Sequence, residues 1–231
     1  MFEYLRLLNV LARYRTKEQF LDYTTRRAPF SLPKKESILI AYDLMEKQFG
    51  GVRRESGGPY MDHLRSVATI LMIHLRVPDS DEILAALLHD VREHFPDEWT
   101  NDRIEDMYGE SVARMVDIMT KPRIIRMPGE TDENYDWRIE NRNQAYQLRF
   151  ETAEMFEVRL KSCDWMHNIL TLIYCTPTKQ RRKWIEAIQY ALPRAKRHDV
   201  LYKEMLTALY SPVLFVFPSV PGPIPIPRIL A

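Results

Sequence analysis

The chain has 231 residues, 45% of them hydrophobic, 11% aromatic and 28% charged, which suits one folded domain with at most a small appendage and excludes wholesale disorder. Lys plus Arg number 33 against 32 for Asp plus Glu, a net charge of +1, too balanced for a protein held on DNA by neutralising phosphates. Two cysteines, Cys163 and Cys175, exclude a disulfide scaffold and fit a reducing, cytoplasmic compartment.

In chain order the apolar residues repeat at three and four, and glycine is scarce, so the expected fold class is all-α. The N-terminal stretch carries Glu3, Arg6 and Arg13 and does not read as a signal peptide. Helices are predicted over roughly 2–14, 16–26, 34–49, 60–75, 80–94, 100–107, 109–120, 132–150, 152–174, 178–192 and 196–209. Thr16 with Gln19 forms a capping box, and Thr152 with Met155 a weaker start signal. Pro78 stops the fourth helix, Asp79 or Ser80 caps the next, and Gly109 ends a short one. Pro122 and Pro128 frame a basic loop, Lys121 to Met127. The organisation read from these signals is a helical extension over 1–33, the main domain over 34–210 and a tail over 211–231. The tail holds six prolines, Pro212, Pro218, Pro221, Pro223, Pro225 and Pro227, and one charge, Arg228. It is expected to be an extended tail, or else an apolar strap on the body or on a second subunit of a homo-oligomer. No run of about 20 apolar residues occurs, so no membrane span is expected.

Two of the six histidines precede an aspartate. His198-Asp199 follows Arg194, Lys196 and Arg197 and fits a solvated face. His89-Asp90 follows Ile83-Leu84-Ala85-Ala86-Leu87-Leu88, where two ionisable groups are costly unless paired or bound to a metal. Adjacent helical side chains diverge by about 100°, so an ion held by both needs ligands from other helices. Asp62-His63 heads another apolar helix, and Asp164 lies between Leu160 and Ile169 in a third. His63, His89, Asp90 and Asp164 together offer two nitrogens and two carboxylates, a mixture that suits a divalent ion with room for water and substrate. Each alone is better explained by a satisfied core or surface role.

Three blocks carry a family resemblance: Ser56-Gly57-Gly58-Pro59-Tyr60-Met61-Asp62-His63; Ile83 through Leu88 with His89-Asp90-Val91-Arg92-Glu93; and Val158-Arg159-Leu160-Lys161-Ser162-Cys163-Asp164-Trp165-Met166-His167-Asn168-Ile169-Leu170-Thr171-Leu172. In this order they resemble the HD-domain metal-dependent phosphohydrolases, and within them the RelA/SpoT-type hydrolase domains and small alarmone hydrolases that act on guanosine tetraphosphate (ppGpp). The resemblance covers about 35–192. It implies a helical bundle around a single Mn²⁺ (another divalent metal being the alternative) with His63, His89, Asp90 and Asp164 as ligands. It implies Arg54 on the nucleotide, Glu93 as the first acid of a Glu-Asp pair that activates water, and Asn168 near the ribose or phosphates. Asp90 with Glu93, and Asp164 with Asn168, are spaced to share a helix face.

Two positions depart from the family pattern. His94 stands where the second acid is expected, and a histidine still moves protons but adds no negative charge at neutral pH. Glu55 stands beside Arg54 where a second cation is expected. Further cations, Lys121, Arg123, Arg126, Arg138, Arg142, Arg149 and Lys161, are candidates for phosphate contact or for a solvated face, Lys121, Arg142 and Lys161 being the ones assigned to substrate. Trp137, Tyr135 and Tyr146 are better read as packing residues than as base-stacking ones. The expected activity is removal of pyrophosphate from the 3′ position of a guanosine alarmone, with Glu93 and His94 as catalytic residues. The alternatives are an HD nucleotidase or phosphodiesterase acting on another nucleotide, and a degenerate HD module that binds without turnover. The expected partner is a small nucleotide and not DNA. A synthetase domain is not expected, because few residues lie outside the core.

Overall fold

The computed structural model describes residues 1–55 and 57–210; the expected tail over 211–231 and Ser56 of the first block lie outside them. The described residues form helices and no strand, apart from one isolated antiparallel bridge between Arg53 and Pro59. In order they are α1 (Phe2–Arg13), α2 (Lys17–Arg26), α3 (Leu32–Gln48), α4 (Met61–Thr69), α5 (Ser80–Leu88), α6 (Val91–His94), α7 (Asn101–Tyr108), α8 (Glu110–Met119), α9 (Asp132–Leu148), α10 (Met155–Leu170), α11 (Pro177–Glu186), α12 (Leu192–His198) and α13 (Tyr202–Tyr210). No helix among them is long and apolar enough to cross a membrane.

Helix α5 is the centre. Every residue from Glu82 to Leu88 is buried, because α3, α4, α8 and α10 pack around it. Its buried Glu82 is matched by Arg159 of α10, whose Nε lies 3.0 Å from Oε2, so the run carries no unpaired charge there. Helices α1 and α2 add Leu7 and Phe20 to the same core, and α1 packs on α13 and α4. The Thr16–Gln19 capping box forms as the sequence indicates, Asp79 caps α5 by accepting from the Asp81 N–H, and Gly109 joins α7 to α8 at φ 92°, a conformation glycine tolerates.

The boundaries differ from the sequence expectation at several places. The helix predicted over 80–94 breaks at His89-Asp90, where Asp90 takes φ −101° and ψ −3°. A continuous helix splays adjacent side chains apart; the break lets both turn to one point. The helix over 60–75 ends in a wider π-turn, Ile70–His74. The helix expected to end at 192 continues through a π-segment, Ala187–Ala191, into α12, and this looser turn accommodates Pro193, which lacks the N–H of a regular α-turn. The helix expected over 196–209 instead breaks at Asp199, which is left-handed at φ 53°. The capping box of α10 is built from Glu154 and Glu157, not from Thr152.

Candidate active site

His63 comes from the first turns of α4, His89 from the end of α5, Asp90 from the break before α6, and Asp164 from the middle of α10. The four converge. His63 Nε2 lies 3.3 Å from Asp164 Oδ1 and 3.5 Å from Asp90 Oδ2. His89 Nε2 lies 3.2 Å from Asp90 Oδ2 and 3.7 Å from Asp164 Oδ1. One donor atom each from His63, His89 and Asp90 falls within 4.8 Å of the others. Both imidazoles are aimed by their opposite nitrogens: His89 Nδ1 sits 2.8 Å from the Ala86 carbonyl, and His63 Nδ1 sits 2.8 Å from His167 Nδ1. Tyr60 donates its hydroxyl to Asp90 Oδ2 at 2.7 Å, and Lys161 and Asn168 donate to the two Asp164 oxygens at 3.0 and 2.6 Å.

The electrostatics at this point ask for a cation. Burial opposes charge on His89, yet the Asp90 and Asp164 carboxylates overcome it and carry the imidazole up to about 10. Burial likewise opposes the carboxylates, but His89 and His63 hold Asp90 well below its ordinary range, and Lys161 with the two histidines does the same for Asp164. Among these paired groups His89 Nε2 is buried and makes no hydrogen bond of sound geometry. The Nε2 atoms of His63 and His89, with the latter's proton given up, and one oxygen each of Asp90 and Asp164 make a donor set that fits a divalent ion.

The cluster forms the floor of a cavity of about 340 Å³. Its walls carry Arg53, Arg54, Lys121, Lys161, Lys179 and Lys183, more cations than the four carboxylates Glu55, Asp90, Glu93 and Asp164 that face them. A second hollow, between α9 and α11, shares Lys121 and Gln147 with it but contains no histidine, so the His–Asp cluster opens into the first. The HD domain family model matches residues 41–191 of this chain. The chain belongs to the HD-domain family. Curated relatives include a guanosine-3′,5′-bis(diphosphate) 3′-pyrophosphohydrolase of Haemophilus influenzae, 33% identical over 160 residues, which are 69% of this chain and 21% of that protein. The bifunctional (p)ppGpp synthase/hydrolase SpoT of Escherichia coli is 31% identical over 167 residues, 71% of this chain and 21% of that protein. This HD chain thus spans about a fifth of the length of the curated relatives it matches. A solved structure of a metazoan SpoT ortholog, described as hydrolysing ppGpp, superposes with a TM-score of 0.59 over 78% of this chain and 97% of its own; at 19% identity it shows a shared fold.

Within the HD domain most of the residues singled out from sequence gather at the cavity. Those at the cavity are His63, Asp90, Asp164, Glu93, Arg54, Lys121, Lys161 and Asn168, with His89 buried directly beneath. Arg54 reaches Asn168 Oδ1 at 2.7 Å, and Asn168 in turn holds Asp164. Glu93 accepts the Lys121 backbone N–H at 2.6 Å; burial and the Asp90 charge raise its pKa. Lys121 itself is lowered to about 8, by burial and then by the Lys183 and Lys161 ammoniums.

Two candidates are not among the cavity-lining residues. His94 turns its ring onto Tyr60 and Phe49, with centroids 4.5 and 5.3 Å away. Arg142 donates to the Pro122 carbonyl at 2.8 Å and so braces the loop that carries Lys121. Glu55, the second departure, pairs with Lys179 and accepts the Thr176 N–H at 3.1 Å. Of the remaining basic stretch, Arg138 pairs with Glu130 and Arg149 with Asp117. His198 lies far along the chain on α12, on a half-buried surface with exposed Asp199. Sequence reasoning did not single out Tyr60, His167, Lys179 or Lys183. Tyr146, expected from sequence to pack, is buried, yet its hydroxyl receives Lys161 at 2.9 Å. Only contacts across 15 to about 120 residues reveal these roles.

Proposed function

We propose that this HD domain is a metal-dependent phosphohydrolase acting on a guanosine alarmone of the ppGpp type, releasing pyrophosphate from the 3′ position. The observation that carries the reading is the convergence of His63, His89, Asp90 and Asp164 beneath a cavity walled by cations. The names of the relatives supply the substrate class. These four residues are the metal ligands, Mn²⁺ being the ion chosen. Such an ion supplies Lewis-acid polarisation of a phosphoryl oxygen and acidification of a water.

The chain's own residues do the rest. Glu93 takes the proton from the attacking water; its raised pKa brings it nearer to neutral pH, where a base works best. The Lys121 N–H keeps the Glu93 carboxylate at the rim. Lys161 offsets Asp164 and, with Lys121 and Arg54, receives the phosphates. Asn168 couples Arg54 to Asp164, so phosphate contact and ligand geometry are linked. His94 enters through Tyr60, whose hydroxyl holds Asp90. Arg142 positions the Lys121 loop. We assign the catalytic unit to 34–210, with 1–33 as a helical layer on it, and the compartment to the cytoplasm.

The test is a release assay with Mn²⁺ over ppGpp, deoxynucleotides and cyclic dinucleotides. Pyrophosphate from ppGpp alone supports the reading. Hydrolysis confined to another nucleotide replaces it with the nucleotidase or phosphodiesterase reading, which His94 in the place of an acid and the Lys179-bound Glu55 favour. Tight ppGpp binding without turnover identifies a regulatory module.

A further inference from the structure

The two imidazoles of the cluster are aimed by different means. His89 is anchored by a backbone carbonyl, Ala86, one turn earlier in its own helix. No backbone carbonyl serves His63. Its Nδ1 instead meets Nδ1 of His167, 104 residues away, at 2.8 Å, with ring centroids 4.9 Å apart and the rings tilted by 42°. Both rings are at least nine-tenths buried. His167 stands three residues beyond Asp164 on α10, so one helix delivers both a carboxylate and this ring.

We propose that His167 is the positioning residue that fixes the tautomer and direction of His63, and through it the affinity of the cluster for a divalent ion. The inference rests on the metal reading above and goes beyond it. Two facing Nδ1 atoms share a single proton: one donates and the other accepts. For His63 to present a bare Nε2 to an ion shared with Asp90 and Asp164, its proton sits on Nδ1 and is donated to His167. His167 then accepts at Nδ1 and carries its own proton on Nε2. Without an acceptor there, His63 Nδ1–H is left buried and unsatisfied. The ring is then freed to turn or to move its proton to Nε2, which blocks ligation. A ligand imidazole held from its far nitrogen is the usual arrangement, and losing that partner typically weakens metal binding about 10- to 100-fold.

The experiment uses the full chain with His167→Leu, which keeps bulk and removes the acceptor, and His167→Asn, whose side-chain oxygen can take the position of Nδ1. Free Mn²⁺ is followed by electron paramagnetic resonance during titration. Co²⁺ visible absorption reports ligand geometry, and thermal unfolding in chelator reports folding. The expected result is a Mn²⁺ Kd raised roughly 10- to 100-fold in His167→Leu with an altered Co²⁺ spectrum, and a Kd and spectrum near wild type in His167→Asn. Leucine binding Mn²⁺ as wild type does overturns the proposal and leaves the metal reading standing. So do equal losses in both variants that follow a common loss of thermal stability. A wild-type chain that takes up no divalent ion overturns both.

Discussion

The cluster of His63, His89, Asp90 and Asp164 and the cluster of His74, Glu204 and Glu3 both set imidazole against carboxylate. In the second, His74 Nε2 meets Glu204 Oε1 at 2.7 Å, while Arg6 of α1 pairs with Glu3 at 3.0 Å and donates to the His74 carbonyl at 3.2 Å. One carboxylate faces the imidazole, a permanent cation stands beside the other, and the group ties α1 and α13 to the π-turn after α4. In the first, two carboxylates face two imidazole nitrogens, the lysine partner sits on the outer side of Asp164, and a cavity opens above. Composition does not separate a site from a structural pin. What does is whether the charge is already balanced and whether a molecule has room to enter.

The sharpest break between the clusters is in metal content. His63→Ala and Asp90→Ala are expected to leave the purified protein without bound divalent metal and without hydrolysis, whereas His74→Ala and His198→Ala retain the metal. Elemental analysis after dialysis decides it. Metal retained in Asp90→Ala but lost in His74→Ala reverses the assignment. Within the first cluster, Glu93→Gln should keep the metal and lower kcat by roughly 10² to 10⁴, the usual worth of a general acid or base. A Glu93→Gln variant with wild-type kcat removes Glu93 from the proton path.

The second cluster should show itself in stability instead. Removing one partner of a buried pair is expected to cost about 3 kcal/mol, read as a lower denaturant midpoint for His74→Ala. Burial opposes charge on Glu204, but the hydrogen bond to His74 overcomes it and holds the carboxyl below its ordinary range. A depressed folded-state value adds stability that is present above the ordinary carboxylate range and is lost as pH falls through the folded value. Glu204→Gln should therefore flatten the acid limb of the stability profile, and an unchanged limb refutes the pairing.

Smaller effects sharpen the cavity itself. Lys121 titrates near 8, so KM for an anionic substrate should rise as pH passes through that value and the ammonium is lost. Lys121→Arg, charged throughout, should move this rise upward; a profile identical to wild type excludes Lys121 from binding. Smallest is Glu55. It is tied to Lys179 and to the N–H of Thr176, and such exposed pairs contribute little. Glu55→Gln should alter KM by no more than about fivefold, less at high salt. A larger change makes Glu55 part of the substrate site.

The helical class, most helix cores and the four residues that converge beneath the cavity were legible in the sequence, because apolar periodicity and the cost of burying unpaired charge are local signals. The break at His89-Asp90 was half legible: the 100° divergence of neighbours on a helix predicts that they need help to meet, but not that the helix yields. The tertiary structure decided the rest. It left Arg142 braced against Pro122 and His94 packed on Tyr60, although both were site candidates by residue type or position. It gave Glu55 a partner in Lys179, 124 residues away, and His63 a partner in His167. Whether a charged side chain faces a cavity or a carboxylate depends on which distant helix packs beside it, and that is fixed by the burial of the whole core, of which no short stretch of sequence holds a record.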